Sequence, residues 1–307
     1  MLIPRLVFGC GHLTGGASSS ESIMLLRRAR AAGILHFDTA PSYGLGTAEG
    51  LVGSVLAADP LVVVTAKIGF ERPSHPFLKT IARRTLRSVR GGPRAPSFYA
   101  PSAPGQDLPE AGCFDPAFMA RSLEITRERL RRGTVDYLLL HESYASPPLP
   151  GTVAFLDEAI AQGHARQVGY ANGALYDPAL RAAVPPSWIA QSAIDPAMLL
   201  GPVDLPAAPT ILHTLIKTDA WLRATDLRYK AAAAVTIDAF RAVAAAEAIA
   251  VLLPYCLAAG NLPGVKLIYT SSVPARLASI LGAAEAIDAA QASGDIAATF
   301  RAAYASA

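Results

Sequence analysis

Asp38, Tyr43, Lys67 and His141 have the side-chain types needed to move a proton at a carbonyl oxygen. A carbonyl that accepts hydride builds negative charge on its oxygen and needs a proton donor nearby. Tyrosine can give that proton, but its free pKa of about 10 makes ionisation difficult. A lysine ammonium alongside favours the phenolate and lowers that value. An aspartate beside the lysine keeps the lysine charged and oriented. A histidine N–H can hold the carbonyl oxygen while charge develops on it.

The spacing of these residues matches a series of short apolar runs. Asp38 closes the run Leu35–Ala40, and Tyr43 follows on the next loop. Lys67 ends VVVTAK and His141 ends DYLLLH. With Leu6–Gly9, Leu61–Lys67, Tyr137–His141, Ala165–Tyr170, Trp188–Ser192, Thr210–Ile216 and Lys266–Ser271, these runs read as eight strands buried on both faces. Helical patterns lie between them, at Ser20–Ala32, Thr47–Ala58, Asp115–Arg132, Gly151–Gln162, Asp177–Val184, Ala233–Ala259 and Pro274–Ala284. Ile296–Tyr304 reads as an added C-terminal helix. The alternation predicts an α/β fold, a (β/α)8 TIM barrel occupying residues 1–307 as a single domain. All four side chains would then sit at strand carboxyl ends, on one rim. Two places break the rhythm. A long insertion, Gly69–Gly112, follows the third strand, leaves the rim face, and reads equally as a lid or as a solvated excursion. Its segment Lys79–Arg94 carries six basic residues and no acidic one. The sixth crossover, Asp195–Pro209, is too short for a normal helix.

Bulk properties narrow the partners. The 307 residues carry a net charge of +3, which makes no case for nucleic acid or for a membrane surface. Cys10, Cys113 and Cys256 are scattered and odd in number, so no disulfide framework or CxxC metal site is suggested. The N-terminus runs directly into a strand and is not patterned as a signal peptide. A cytoplasmic location is the expectation.

Residues 36–56, HFDTAPSYGLGTAEGLVGSVL, resemble the aldo-keto reductase signature, in which D-T-A-x-x-Y-G is followed by a glutamate, here Glu49, and L-x-G. VVVTAK, VDYLLLHE and GHARQVGYAN match successive family blocks in order. The resemblance implies Tyr43 as general acid/base, Lys67 and Asp38 as its tuning pair, and His141 as the residue that orients the carbonyl. It also implies a nicotinamide cofactor, NADP(H) ahead of NAD(H), bound without a Rossmann fold. Asn172 and Gln191 match the residues that hold the carboxamide, and His213 falls where the family places a ring against the nicotinamide. Ser271 and Arg276, in IYTSSVPARL, match a phosphate ligand and the arginine that reaches the adenosine 2′-phosphate. Several positions depart from the pattern. Ala171 replaces a serine, Thr270 a frequent lysine and Ile280 a frequent asparagine or glutamine. His213-Thr214-Leu215 stands in place of serine-proline-leucine. The long insertion is similar to that of sugar-oxidising members resembling galactose and fucose dehydrogenases. The implied partner is a small aldehyde, ketone, alcohol or sugar lactol. A nicotinamide-binding regulatory protein, or a biosynthetic enzyme using the same four residues for an unusual or non-redox reaction, is the alternative.

Each residue also has a plainer reading. Asn172 and Gln191 could be satisfied core amides, His213 a packed core histidine and Arg276 a solvated helix arginine. His36 and Asp38 are spaced like a metal-binding pair, but no further ligands accompany them, and no metal is expected. Glu142 follows His141 and points either at the substrate or outward.

Overall fold

A computed structural model describes residues 1–14, 19–73, 111–144, 148–203, 205 and 209–307. Eight parallel strands close into a barrel in chain order. They are β1 (Leu6–Gly9), β2 (His36–Asp38), β3 (Val63–Ile68), β4 (Val135–His141), β5 (Ala165–Leu175), β6 (Ile189–Ala193), β7 (Thr210–His213) and β8 (Lys266–Tyr269). β8 returns to β1 through Leu6↔Leu267 and Val7↔Ile268, so no edge strand is left. The helices are α1 (Ser19–Ala31), α2 (Ala48–Leu56), α3 (Pro116–Leu130), α4 (Pro150–Ala161), α5 (Pro178–Ala182), α6 (Ala197–Leu200), α7 (Leu215–Thr225), α8 (Leu227–Ala239), α9 (Ala246–Asn261), α10 (Pro274–Ala289) and α11 (Ser293–Ser306). This is the expected (β/α)8 barrel.

Strand side chains alternate between the two faces of the sheet, so every second residue of each strand enters the barrel. Val7, Leu139, Ala171, Ile189, Ile211 and Ile268 fill its middle as one apolar cluster. Below them His36 Nε2 meets Thr65 Oγ1 at 2.6 Å, and the His36 ring stands edge-on to Tyr137. Two residues further along the strands come Asp38, Lys67, His141, Gln191 and His213. The apolar plug therefore forms the floor on which the polar rim stands. A much larger cluster, including Phe8, Phe37, Leu138, Tyr170, Leu252 and Phe300, packs the outer face of the sheet against the helices.

Two expected elements are corrected. β7 does not run to Ile216. It stops at His213, because Thr214 takes a left-handed backbone (φ 64°) that ends the extended chain and lets α7 begin at Leu215. The single helix expected over Ala233–Ala259 is two, α8 and α9, with the break at residues 240–245. An alanine-rich stretch has no local signal to stop it. The Asp226 carboxylate, accepting from the Arg228 and Tyr229 amides, starts α8 earlier than its pattern suggested. The sixth crossover is short, and among its described residues the one helix between β6 and β7 is the four-residue α6. Residues 74–110 of the insertion, including the basic run, lie outside the described residues.

The ends of that insertion are firmly tied. Cys113 donates its amide to the Gly69 carbonyl (2.7 Å), and Gly112 donates to the Glu142 carbonyl (3.1 Å). Gly69 has φ +136°, and a Cβ there would stand 2.8 Å from the His141 carbonyl oxygen, so only glycine fits. Arg72 forms a two-pronged pair with the buried Glu49 (Nε–Oε2 3.0 Å, Nη2–Oε1 3.1 Å), and Thr126 on α3 donates to the same carboxylate (2.8 Å). Glu49 is thus an anchor for the stem of the insertion.

Candidate active site

The four residues singled out first come together on the rim. Lys67, at the end of β3, lies 2.6 Å from each oxygen of Asp38, at the end of β2. Both side chains are buried, 1% and 2% exposed. The same ammonium donates to the Tyr43 hydroxyl at 3.2 Å and sits 4.7 Å from the centre of the Tyr43 ring. An ammonium can only donate, so the tyrosine oxygen is the acceptor and its own proton is directed away from Lys67. His141 stands edge-on to Tyr43, with ring centres 5.9 Å apart. Tyr43 reaches this position on a short 3-10 turn, Tyr43–Gly46, whose Gly44 and Leu45 take left-handed backbone.

Burial sets the charge states. It pushes the Asp38 carboxyl up, against the pull of Lys67 and of the Gln191 amide. Burial holds His141 well below the ordinary imidazole value, and the nearby Lys67 charge adds to this. His141 is therefore neutral near pH 7 and keeps one N–H to donate. Burial likewise lowers His213 to about 4 and His36 to about 3. Because these folded-state values lie below the unfolded value of ~6.5, the unfolded chain binds more protons as pH falls, and stability is lost from pH ~6.5 downward. Between pH 7 and pH 5 each such histidine is expected to remove about 2 kcal/mol. Urea unfolding at the two pH values measures this. A His36→Gln variant should show a correspondingly smaller loss, and an equal loss would rule out His36 as a source.

Beyond the four, the same rim carries Asn172, in the carboxyl-terminal half of β5, and Gln191 on β6. Both are buried, and among the described residues Asn172 Oδ1 and Gln191 Oε1 have no hydrogen-bond partner. Buried amide oxygens are rarely left unpaired. Two such acceptors on neighbouring strands fit a ligand that brings its own N–H donors. His213 ends β7 with its Nε2 2.8 Å from the Asn172 carbonyl oxygen. Ser271 stands in the loop after β8, and Arg276 in the first turn of α10. The Ser271 hydroxyl is occupied by a local turn with Val273, its oxygen 3.3 Å from that residue's amide. Arg276 is exposed and makes no ion pair among the described residues. Ile280 faces the core rather than the cleft. Ala171 belongs to the apolar plug. Phe70, missed in the sequence, packs edge-on against His141 with ring centres 5.1 Å apart and supplies an apolar wall. Its signal was an aromatic directly after the lysine strand, in KIGF.

The sequence profile of the aldo/keto reductase family matches residues 5–179, more than half of the chain, from β1 through the strand ends that carry all four residues. The chain belongs to this family. It is 28% identical over 192 residues to a D-threo-aldose 1-dehydrogenase from a Pseudomonas species, covering 60% of this chain and 54% of that protein. It is 39% identical over 83 residues to an uncharacterised oxidoreductase of Mycobacterium tuberculosis, covering 27% of this chain and 24% of the other. The chain thus spans about half the length of the first of these relatives and a quarter of the second. Among solved structures, an aldo-keto reductase from Klebsiella pneumoniae in complex with NADPH superposes with a TM-score of 0.60 at 18% identity, covering 97% of this chain and 91% of that one. A glycerol dehydrogenase from Gluconobacter oxydans gives 0.59 at 18% identity, covering 96% and 91%. At that identity these two structures establish the shared family barrel and nothing finer. Among the described residues no helix is long and apolar enough to cross a membrane.

Proposed function

We propose that the protein is a nicotinamide-dependent oxidoreductase acting on a small aldehyde, ketone, alcohol or sugar lactol in the cytoplasm, with NADP(H) preferred to NAD(H). The observation that carries this reading is the chain from the buried Asp38–Lys67 pair to the half-buried Tyr43, closed by a neutral His141. The bound nicotinamide would supply or accept the hydride. Everything else falls to side chains of the rim. In the reducing direction His141 donates its N–H to the carbonyl oxygen and orients it. Tyr43 gives that oxygen its phenolic proton as negative charge develops. Lys67, 3.2 Å away, stabilises the resulting phenolate, and Asp38 keeps the lysine in place. In the oxidising direction Tyr43 takes the alcohol proton back.

Asn172 and Gln191 would hold the carboxamide through their unpartnered oxygens. His213 completes that end of the cleft, while Ser271 and Arg276 would meet the phosphates at the other. The choice of NADP(H) rests on Arg276, an exposed guanidinium suited to a phosphate. The aldose dehydrogenase relative supports including sugar lactols among the substrates, and the NADPH complex of the Klebsiella protein supports the cofactor class.

The test is a fluorescence titration with NADPH and with NADH. NADPH should bind more tightly, and Arg276→Ala should weaken NADPH binding about 10-fold or more while leaving NADH within about threefold. Equal binding of both cofactors, unaffected by the substitution, would remove the preference. Binding of neither would remove the cofactor and with it the proposed reaction.

A further inference from the structure

On its β6 side the β5 ladder runs through Gly169↔Ile189, Tyr170↔Ala190 and Ala171↔Gln191, then resumes at Leu175↔Ala193. The chain advances four residues on β5 against two on β6, which makes a bulge containing Asn172 and Gly173. A bulge re-aims side chains, and it also takes backbone groups off the ladder. Buried backbone groups must then find other partners.

Two of them find side chains at the carboxyl ends of β4 and β7. The Asn172 carbonyl lies 2.8 Å from His213 Nε2, which reaches it from the end of β7. The Gly173 amide donates to Glu142 Oε2 at 2.8 Å, from the end of β4. Since a carbonyl oxygen can only accept, His213 Nε2 carries the proton in that bond. Glu142 is held in turn. Its backbone amide donates to the Ala171 carbonyl at 2.7 Å, and the Tyr144 hydroxyl donates to its carboxylate. Its carboxyl group is buried, and burial pushes it up. Both braces stand at unusual backbone. Glu142 has φ +57°, and Thr214, next to His213, has φ +64°. Non-glycine residues seldom take such angles, and here these two turns flank the two side chains that meet at the bulge.

We infer that Glu142 and His213 are positioning residues that brace the β5 bulge from both sides and so present the Asn172 amide to the nicotinamide carboxamide. The inference rests on the cofactor reading above, and it gives His213 its effect through an N–H bond rather than through its ring face. Glu142 acts through Gly173 and not through the substrate.

Four variants separate these roles. His213→Phe keeps a ring and loses the donor, whereas His213→Gln loses the ring and keeps a donor. Glu142→Leu removes the acceptor, and Glu142→Gln retains one. NADPH affinity would be measured by fluorescence titration, amide hydrogen exchange over residues 171–175 by mass spectrometry, and fold integrity by thermal unfolding. His213→Phe and Glu142→Leu should weaken NADPH binding about tenfold and accelerate exchange in that segment. His213→Gln and Glu142→Gln should stay within about threefold of the parent. Parent-like NADPH binding by His213→Phe together with loss in His213→Gln would overturn the assignment in favour of a stacking ring. Unchanged exchange in both His213→Phe and Glu142→Leu would overturn it whatever the affinities. Were the parent protein to bind neither NADPH nor NADH, the cofactor reading would fall, and the exchange data alone would decide whether the two residues brace the bulge.

Discussion

Tyr43→Phe should lower turnover by about 10²–10⁴-fold, the range over which a positioned general acid accelerates proton transfer. The substitution removes one hydroxyl and little else. The Tyr43 ring packs against the Lys67 ammonium and stands edge-on to His141, and a phenylalanine ring can keep both contacts. NADPH affinity should therefore stay within about threefold of the parent. Steady-state kinetics on a small aldehyde, paired with a fluorescence titration, makes the separation. Parent-like turnover in the variant would show that another group delivers the proton, and the roles given to Lys67 and Asp38 would lose their basis. A joint fall in turnover and cofactor affinity would point to a structural role for the hydroxyl.

Lys67→Met should show the largest effect on stability. Lys67 and Asp38 are buried at 1% and 2% exposure, with both carboxylate oxygens 2.6 Å from the ammonium. Removing one partner of such a pair leaves an uncompensated buried charge, which typically costs about 3–5 kcal/mol. The cost should shrink as pH falls. Without the lysine nothing offsets the burial that already pushes Asp38 up, so the folded state takes up a proton before the unfolded chain does. The double variant Asp38→Asn with Lys67→Met should recover most of the stability at pH 7, because no unpaired buried charge is then left at that position. It should not recover turnover, because Tyr43 would lack the cation that favours its phenolate. Urea unfolding at pH 7 and pH 5, with kinetics on both variants, measures both effects. A double variant no more stable than Lys67→Met would mean that the pair acts through packing rather than charge.

All eight strands and the residues at their carboxyl ends were legible in the linear sequence. Short apolar runs buried on both faces leave few alternatives, and parallel strands joined by helices put their carboxyl ends on one side. Asp38, Tyr43, Lys67 and His141 were legible for that reason, whereas Asn172, Gln191 and His213 were legible only through the resemblance to the aldo-keto reductase family. The boundary of β7 was not, because Thr214 has no side-chain signal for the left-handed turn it takes. Nor was the break between α8 and α9, which falls in alanine-rich chain where local propensity is nearly flat.

The details of the site have a different origin. The bulge is met by Glu142, 31 residues from Gly173, and by His213, 41 residues from Asn172. Glu142 could be read along the chain as facing the substrate or facing out. Its burial and its bond to Gly173 arise only once β4 and β5 lie side by side. Glu49 shows the same limit. It is part of a recognisable motif, yet its pairing with Arg72 at the stem of the insertion follows from the approach of α3. Residue types and strand periodicity act locally and identify the barrel and the chemistry on its rim. Hydrogen bonds to off-ladder backbone form only where distant strand ends converge, so the packed barrel alone decides how that chemistry is aimed.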